Sequence, residues 1–554
     1  MYYLETQYTM KQITLTKDLQ ERLPWDKFID EMEKLGFYKL TFINTSKESE
    51  SKASYISIQT GYMMLIGDPI QASAIRDTSL LHIRPYILFR PKDERQLRLI
   101  ITNSQKFSIP ITFAGGKTGL SGGYSNYGIT VDLADFESYE EPILYDFKNN
   151  TVRANQNVLI SDLIKYTERK SNNTFIFPVQ PASALKLPVR VGGLIASNAS
   201  GITSGKLGSI ENWVETIRIM KPNGTITEIS KNNPLFSKII GGNGYFGAIL
   251  SAVFKLYRPE TNLKCAILYG YNTTNAFMGL QAVLELKIYP LISEFVISEL
   301  KLPGRFNMLG ENKVKEKSIK WAAMIKGSIE IIDKFIDVMN QEAHCYWDIL
   351  SELDFEEYLQ ERSIFALLVQ TEDSTSDFIA FPGFEDILSE PKNLPKTIEM
   401  INKIFTMKGF HEVIFGYGHI NFRKGQGLLL HMRLPVPIEY FYKQNKENMK
   451  LVCETVYDVI LNLKKDFNIK HKAEHSPGPF KIWLDSEFRS SLRTKVNTGE
   501  AFVNPHLNIF DELIRRNLGK SNDEIKDLEN EKNLSIELKK YLFVASMISY
   551  LTGE

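Results

Sequence analysis

Residues Ile109–Val131 read IPITFAGGKTGLSGGYSNYGITV. An apolar, β-branched run meets a loop carrying Gly115, Gly116, Gly119, Gly122 and Gly123, and a second β-type run follows. Strand, glycine loop, strand is an arrangement that brings main chain close to something. Glycine lacks a Cβ, so its N–H can approach an anion and its φ can be positive. Successive N–H groups turned the same way form a concavity that binds phosphate. Two familiar phosphate loops fail on spacing. A Walker A loop needs a glycine where Ile111 stands, and a GxGxxG fingerprint ending at Gly119 and Gly122 needs one where Lys117 stands. The segment after Gly123 reads as strand, not as the helix of a dinucleotide-binding βαβ unit. Five glycines in nine residues carry a large chain-entropy cost for a hairpin that holds nothing. A ligand-free hairpin and an anion-binding loop both remain open from this stretch alone.

A second stretch, Phe177–Gly208, reads FPVQPASALKLPVRVGGLIASNASGITSGKLG. Small residues dominate from Gly192 to Gly205, with Asn198 between Ser197 and Ala199. Such a run lets backbone pack against a flat or elongated ligand, with Asn and Ser as polar contacts. A tight turn followed by a small-residue helix interface is the ligand-free alternative.

Together these stretches resemble the flavin-binding domain of the vanillyl-alcohol oxidase / p-cresol methylhydroxylase (PCMH) superfamily. The branch most similar in pattern is that of the D-lactate dehydrogenase and glycolate oxidase flavoprotein subunits. AGGKTGLSGG resembles that branch's pyrophosphate loop, and QPAS, GGLIASNASG and SGKLG resemble its next flavin contacts. Ile240–Leu256, IGGNGYFGAILSAVFKL, is similar to the family's strand-closing segment near the flavin. The blocks stand in family order over about a third of the chain.

The resemblance implies FAD, with its diphosphate on Ala114, Gly115, Gly116, Lys117, Thr118, Gly119, Leu120, Ser121 and Gly122. It implies further contacts from Pro181, Ala182, Ser183, Gly192 and Gly193, then from Asn198, Gly201, Ser204, Gly208 and Ile249. Lys117 replaces a family glycine and is expected to add a charge contact to the diphosphate. Neither the glycine loop nor the small-residue run contains histidine or cysteine, so the FAD is expected to be non-covalent. The implied fold class is α+β: a two-subdomain PCMH-type FAD-binding domain plus an α+β substrate (cap) domain with an antiparallel sheet.

Composition bounds the remaining possibilities. A chain of 554 residues holds roughly two to four domains. Lys plus Arg and Asp plus Glu number 66 each, so no global field favours nucleic acid or a membrane surface. The opening MYYLETQYTMKQITLTKDLQERL lacks the apolar core of a signal peptide. No apolar run approaches the ~20 residues of a membrane-spanning helix. The longest, Tyr541–Leu551, reads as a packed terminal helix, with docking on the inner face of a membrane as the minority alternative. Cys265, Cys345 and Cys453 are isolated, which argues against iron–sulfur and cysteine–zinc sites. The chain reads as cytoplasmic.

Four segments are expected. Residues 1–80 read as an N-terminal extension in which Trp25–Lys39 is an amphipathic helix and LGFYKLTFIN and YISIQTGYMMLIG are strand-like. Residues 81–262 are the expected FAD-binding domain. Within it ILFRPKDERQLRLIITNSQKFSIPITFAGG reads as strand, turn, helix and strand. ETIRIMKPNGTITEIS reads as a hairpin turning at Asn223-Gly224. Residues 263–510 are the expected substrate domain, with strands in CAILYGY, FVISEL and WAAMIKGSI. Residues 511–554 read as a helical tail.

Five of the eight histidines, His411, His419, His431, His471 and His475, fall within one 65-residue stretch. Its first part, HEVIFGYGHINFRKGQGLLLHMRLP, reads as a hairpin on which His419 and His431 could face one another. Two imidazoles with Glu474 leave open positions on a divalent metal, as a catalytic site needs. Histidines that merely hydrogen-bond in a polar hairpin fit the spacing as well. The family resemblance implies His419, His431 and Glu474 as ligands of a divalent metal (zinc, iron or manganese) and His475 as base. The chain departs from the family in the longer spacing between His419 and His431 and in Ser476-Pro477-Gly478-Pro479 after the Glu-His pair. Arg362 occupies roughly the family's carboxylate-binding position, and Arg433 is its rival; solvated or ion-paired arginine fits either one. FPGFEDILSEPKNLP matches a further family segment, with no role assigned to Glu385 or Asp386.

The resemblance implies an FAD-dependent oxidoreductase that oxidises a small 2-hydroxy acid such as glycolate or, where Cα is a stereocentre, a D acid such as D-lactate, to the 2-oxo acid. The sequence leaves open both the electron acceptor, with a quinone, a cytochrome or an electron-transfer protein as the candidates, and whether the chain pairs with itself as a homodimer. The alternatives are an FAD-dependent alcohol oxidase, an alkylglycerone-phosphate-synthase-like enzyme, and a degenerate flavin-binding subunit without catalysis.

Overall fold

The computed structural model describes residues 15–42, 63–67, 83, 85–119, 122–138, 141–298, 304–309, 319–363, 378–381, 387–410, 415–421, 427–432, 434–437, 440, 446–467, 470–471, 482, 486–518 and 536–552. Among these residues three sheets carry the architecture.

The first sheet has the order Tyr38–Phe42, Met63–Gly67, Ile87–Phe89, Ile129–Asp132, Ile111–Ala114. Ile129–Asp132 pairs in parallel with both Ile87–Phe89 and Ile111–Ala114. The helix Glu94–Lys106 makes the crossover. Asp93 caps it by accepting from the Gln96 N–H at 2.8 Å, and Leu97, Ile100 and Ile101 turn inward onto the sheet. That i, i+3, i+4 spacing is what buries one face of a helix. Residues grouped in the sequence as an N-terminal extension supply this sheet's first two strands. The amphipathic segment forms a helix only over Trp25–Lys34, since the chain turns at Gly36 (φ +90°) into the strand Tyr38–Phe42.

The second sheet is antiparallel, in the order Ile143–Asp146, Thr151–Asn155, Ala248–Lys255, Val214–Met220, Ile226–Ser230. Its last hairpin turns at Asn223-Gly224, with Gly224 at φ +79°. Between its strands the small-residue run folds into two short helices, Val191–Ala196 and Ser204–Leu207.

The third sheet has eight strands, each pair antiparallel. Its order is Tyr346–Leu350, Leu263–Gly270, Trp321–Ser328, Ile292–Ser298, Phe415–Asn421, Gly427–Met432, Ile387–Ser389, Lys470–His471. Ile292–Ser298 sits centrally and is buried on both faces. One face packs aromatics, with Phe295 5.9 Å from both the Phe277 and the Trp321 rings. The other face carries Glu294 and Val296, and it looks toward the small-residue run: the Ser293 N–H donates to the Ile202 carbonyl at 3.3 Å.

The C-terminal part returns to the first sheet. The Ile111 N–H donates to the Val503 carbonyl at 3.3 Å, and the Phe113 and Phe502 rings lie 5.1 Å apart. The helix Pro505–Leu518 begins inside the expected substrate domain. It reaches the N-terminal helix through Arg22 and Glu512, 3.0 Å apart. Ile536–Thr552 is a packed helix that buries Leu542, Phe543, Val544 and Met547. No described helix is long and apolar enough to cross a membrane.

Candidate functional site

One cleft of about 1530 Å³, open solvent at its mouth included, runs from the glycine loop to the central strands of the third sheet. Its first wall is the loop after Ile111–Ala114. Ala114, Gly115, Gly116, Lys117, Thr118 and Gly119 line it. A Cβ on Gly116 would overlap the Pro188 carbonyl oxygen, so glycine is what lets the loop lie on the Pro188–Arg190 segment. Lys117 stands at φ +55°, the left-handed region that glycine enters at no cost, which explains why a glycine suits this position. Its ammonium lies 3.0 Å from the buried Asp132 carboxylate, which Arg90 also reaches at 3.1 Å. Two cations on one carboxylate leave a net positive charge under the loop. The expected direct lysine–diphosphate contact therefore competes with this ion pair.

The second wall is the small-residue run. Pro181, Ala182, Ser183, Gly192, Gly193 and Gly201 line the cleft, as does Ile249 of the second sheet. Gly192 packs on the Gln156 side chain, and Gly193 has open space where a Cβ would stand. Four expected contacts lie off the lining. Asn198 is in the left-handed region at φ +51°, and its side-chain amide donates to Glu211 at 3.1 Å, so it shapes the turn and faces outward. Gly122 and Gly208, at φ +64° and +78°, serve turns, and Ser204 is buried at the start of its short helix. Leu120 and Ser121 lie outside the described residues.

The far end of the cleft is made by the third sheet. Antiparallel register sets Glu294 opposite His419 and Tyr417 opposite His431, which brings all four side chains to one face. The two histidines are diagonal across the hairpin, not directly opposed, because His419 pairs with Leu429; their ring centroids are 6.1 Å apart. The helix Glu352–Arg362 delivers Arg362 at its last turn. The Arg362 Nε lies 2.7 Å from a Glu294 oxygen, and its guanidinium stacks over the Tyr417 ring at 4.4 Å. The other Glu294 oxygen is 3.5 Å from His419 Nδ1. Glu294, Arg362, Tyr417, His419 and His431 all line the same cleft as the glycine loop.

Glu294 has no counterpart in the sequence expectations. One carboxylate inside ISEFVIS was a legible signal, since a charge in an otherwise apolar strand is retained only with a partner. Arg433, Glu474 and His475 lie outside the described residues. Among the described residues no three His, Cys, Asp or Glu side chains converge to hold a metal.

The cleft's fit to FAD rests on its donor set. A row of glycine-loop residues, over paired cations, suits a diphosphate. The Gly192-Gly193 edge offers a flat, side-chain-free surface. A mixed wall of small apolar residues then leads toward the carboxylate, guanidinium and imidazole groups.

Behind the loop lies a buried histidine. Burial pushes the His506 imidazole down to about 3, opposed by its hydrogen bond to the Gly123 backbone. An unfolded histidine takes a proton near pH 6.5, whereas this one stays neutral, so the unfolded state gains the proton first as pH falls. His506 therefore costs stability progressively between pH 6.5 and about 3, at up to about 1.4 kcal/mol per pH unit. Urea unfolding at pH 6.5 and 5 should show a smaller loss of stability in His506→Gln than in the wild type. Equal losses would contradict this.

Comparison with known proteins adds the following. Residues 85–230 match the model of a family described as the FAD binding domain. The chain is 25% identical over 216 residues to a D-lactate dehydrogenase of Anaerostipes hadrus, covering 37% of this chain and 44% of that one. It is 24% identical over 218 residues to a D-2-hydroxyglutarate dehydrogenase of Stutzerimonas stutzeri (strain A1501), covering 38% and 46%. The chain thus spans about half the length of these curated relatives. A solved alkyldihydroxyacetonephosphate synthase superposes with a TM-score of 0.62 at 14% identity, over 84% of this chain and 87% of that one. At that identity the likeness is one of fold.

Proposed function

We propose that this chain, whose residues 85–230 match an FAD binding domain, is a PCMH-type (vanillyl-alcohol oxidase superfamily) FAD-dependent oxidoreductase oxidising a small 2-hydroxy acid. The observation that carries this reading is that one cleft joins the glycine loop to the Arg362–Glu294–His419 cluster. Bound FAD would supply the acceptor for a hydride from the substrate's Cα. Main-chain amides between Ala114 and Gly119 hold its diphosphate, and Gly192, Gly193 and Gly201 border its flat portion. Arg362 binds the substrate carboxylate, with Arg433 as its rival. His475 accepts the hydroxyl proton, a role suited to imidazole near neutral pH. Electrons leave to a quinone, a cytochrome or an electron-transfer protein.

The test is a visible spectrum of the purified protein before and after D-lactate, glycolate and D-2-hydroxyglutarate, recorded without oxygen. A flavin band that bleaches with one of them is the expected result. A protein that stays colourless with FAD in excess overturns the reading. His475→Ala should retain the flavin band and lose bleaching by at least about a hundredfold in rate; unaltered bleaching removes His475 from the mechanism.

A second reading rests on Glu294. This carboxylate already balances the Arg362 charge, which suits a neutral alcohol in the cleft as well as an anion. Bleaching by alcohols lacking a carboxylate, and not by hydroxy acids, would favour an alcohol oxidase.

A further inference from the structure

The Gly123 carbonyl is held by two side chains, one from Asn243, which itself lines the cleft, and one from His506, which lies behind the loop and off the lining. The Asn243 amide Nδ2 donates to the Gly123 carbonyl at 2.6 Å and to the Tyr245 hydroxyl at 2.9 Å. His506, fully buried, hydrogen-bonds to the backbone of the same Gly123. His506 is carried there by the returning C-terminal segment. The Phe502 N–H donates to the Tyr245 carbonyl at 2.9 Å, and Asn504 caps the helix behind His506 by accepting from the Leu507 N–H at 2.8 Å. Two segments far apart in sequence thus converge on one carbonyl.

The planar trans peptide makes this matter for the cleft. The Gly123 carbonyl and the Tyr124 N–H belong to one peptide and point in opposite directions. A carbonyl drawn back by two donors turns the N–H of the next residue the other way. Gly123 and Tyr124 both line the cleft.

We propose that Asn243 and His506 are positioning residues that clamp the Gly123 carbonyl and so aim the Gly123–Tyr124 amide at the diphosphate of bound FAD. The proposal rests on the flavin reading of the cleft. The ligand feature it recognises is the diphosphate bridge, which FAD has and FMN lacks.

The experiment titrates FAD-free full-length protein with FAD and, separately, with FMN, following flavin fluorescence. Each of His506→Ala and Asn243→Gly removes one donor. Glycine is chosen at 243 because Asn243 stands at φ +53°. Each is expected to raise the Kd for FAD about ten- to a hundredfold, with the Kd for FMN within about threefold of wild type. His506→Gln, whose side-chain amide can donate in place of the ring N–H, should restore most of the FAD affinity. FAD affinity unchanged in His506→Ala and Asn243→Gly overturns the clamp, and so does an equal loss of FAD and FMN affinity, which a general loosening of the fold would give. Should His506→Ala fail to fold, His506→Leu, which keeps the buried volume without the donor, carries the same test, because Asn243 also lines the cleft. Wild-type protein that binds no FAD at all overturns the flavin reading, and the clamp with it, which is a result distinct from a variant-specific failure.

Discussion

Gly116→Ala is expected to bind FAD about five- to a hundredfold more weakly than the wild type. The added Cβ would overlap the Pro188 carbonyl oxygen, with the Pro188 carbonyl carbon also too close. Both are backbone atoms and cannot rotate aside. Either the glycine loop lifts from the Pro188–Arg190 segment or that segment moves, and both line the cleft. Overpacking of this kind costs typically 1–3 kcal/mol, and each 1.4 kcal/mol taken from binding is a factor of about ten. Gly193→Ala is the informative comparison. Gly193 also lines the cleft, but nothing lies within 4 Å of its would-be Cβ. Its apo protein should melt as the wild type does, so any loss of FAD affinity there reports contact between the methyl and the ligand. Calorimetric titration of both variants, with melting curves of the apo forms, separates the two effects. Wild-type FAD affinity in Gly116→Ala would show that the loop is not where the coenzyme sits.

Glu294→Ala is expected to destabilise the protein by about 3–5 kcal/mol, the range for removing one partner of a buried ion pair. The Glu294 and Arg362 side chains are 1% and 7% exposed, so a guanidinium that has lost this carboxylate would have little access to water. The double variant Glu294→Ala/Arg362→Met should recover much of that loss, since no unpaired charge remains. The same logic gives a ligand readout. With Glu294 gone, a substrate carboxylate can take its place on Arg362. A 2-hydroxy acid should then raise the melting temperature of Glu294→Ala more than that of the wild type, by the mass action of binding to the folded state alone. Denaturant unfolding measures the first effect and thermal shift the second. A loss under 1 kcal/mol would mean that water reaches the pair. Equal shifts in variant and wild type would remove Arg362 as the carboxylate anchor and favour the neutral-alcohol reading.

Much of the first half of the chain was legible because its signals are local. The apolar spacing of Leu97, Ile100 and Ile101 after Pro91-Lys92 marks a helix, Asn223-Gly224 between two β runs marks a hairpin, and a glycine cluster between strands marks a close approach of main chain. Each rests on the spacing or the φ/ψ range of the residues themselves. Asn198 was less legible for the complementary reason. Its type announces a polar contact, but which way it points depends on a left-handed turn that the sequence does not display as such.

What the sequence determined on its own is therefore the identity of the elements and the chemistry of the loop: strand, glycine-rich turn, small-residue run, histidine hairpin. Tertiary structure alone decided which of these share a space. Register across the third sheet put Glu294 opposite His419, and the end of one helix put Arg362 onto that carboxylate. The return of the C-terminal segment put His506 behind Gly123. These are contacts between residues tens to hundreds of positions apart. They depend on strand order and packing, which no local periodicity encodes.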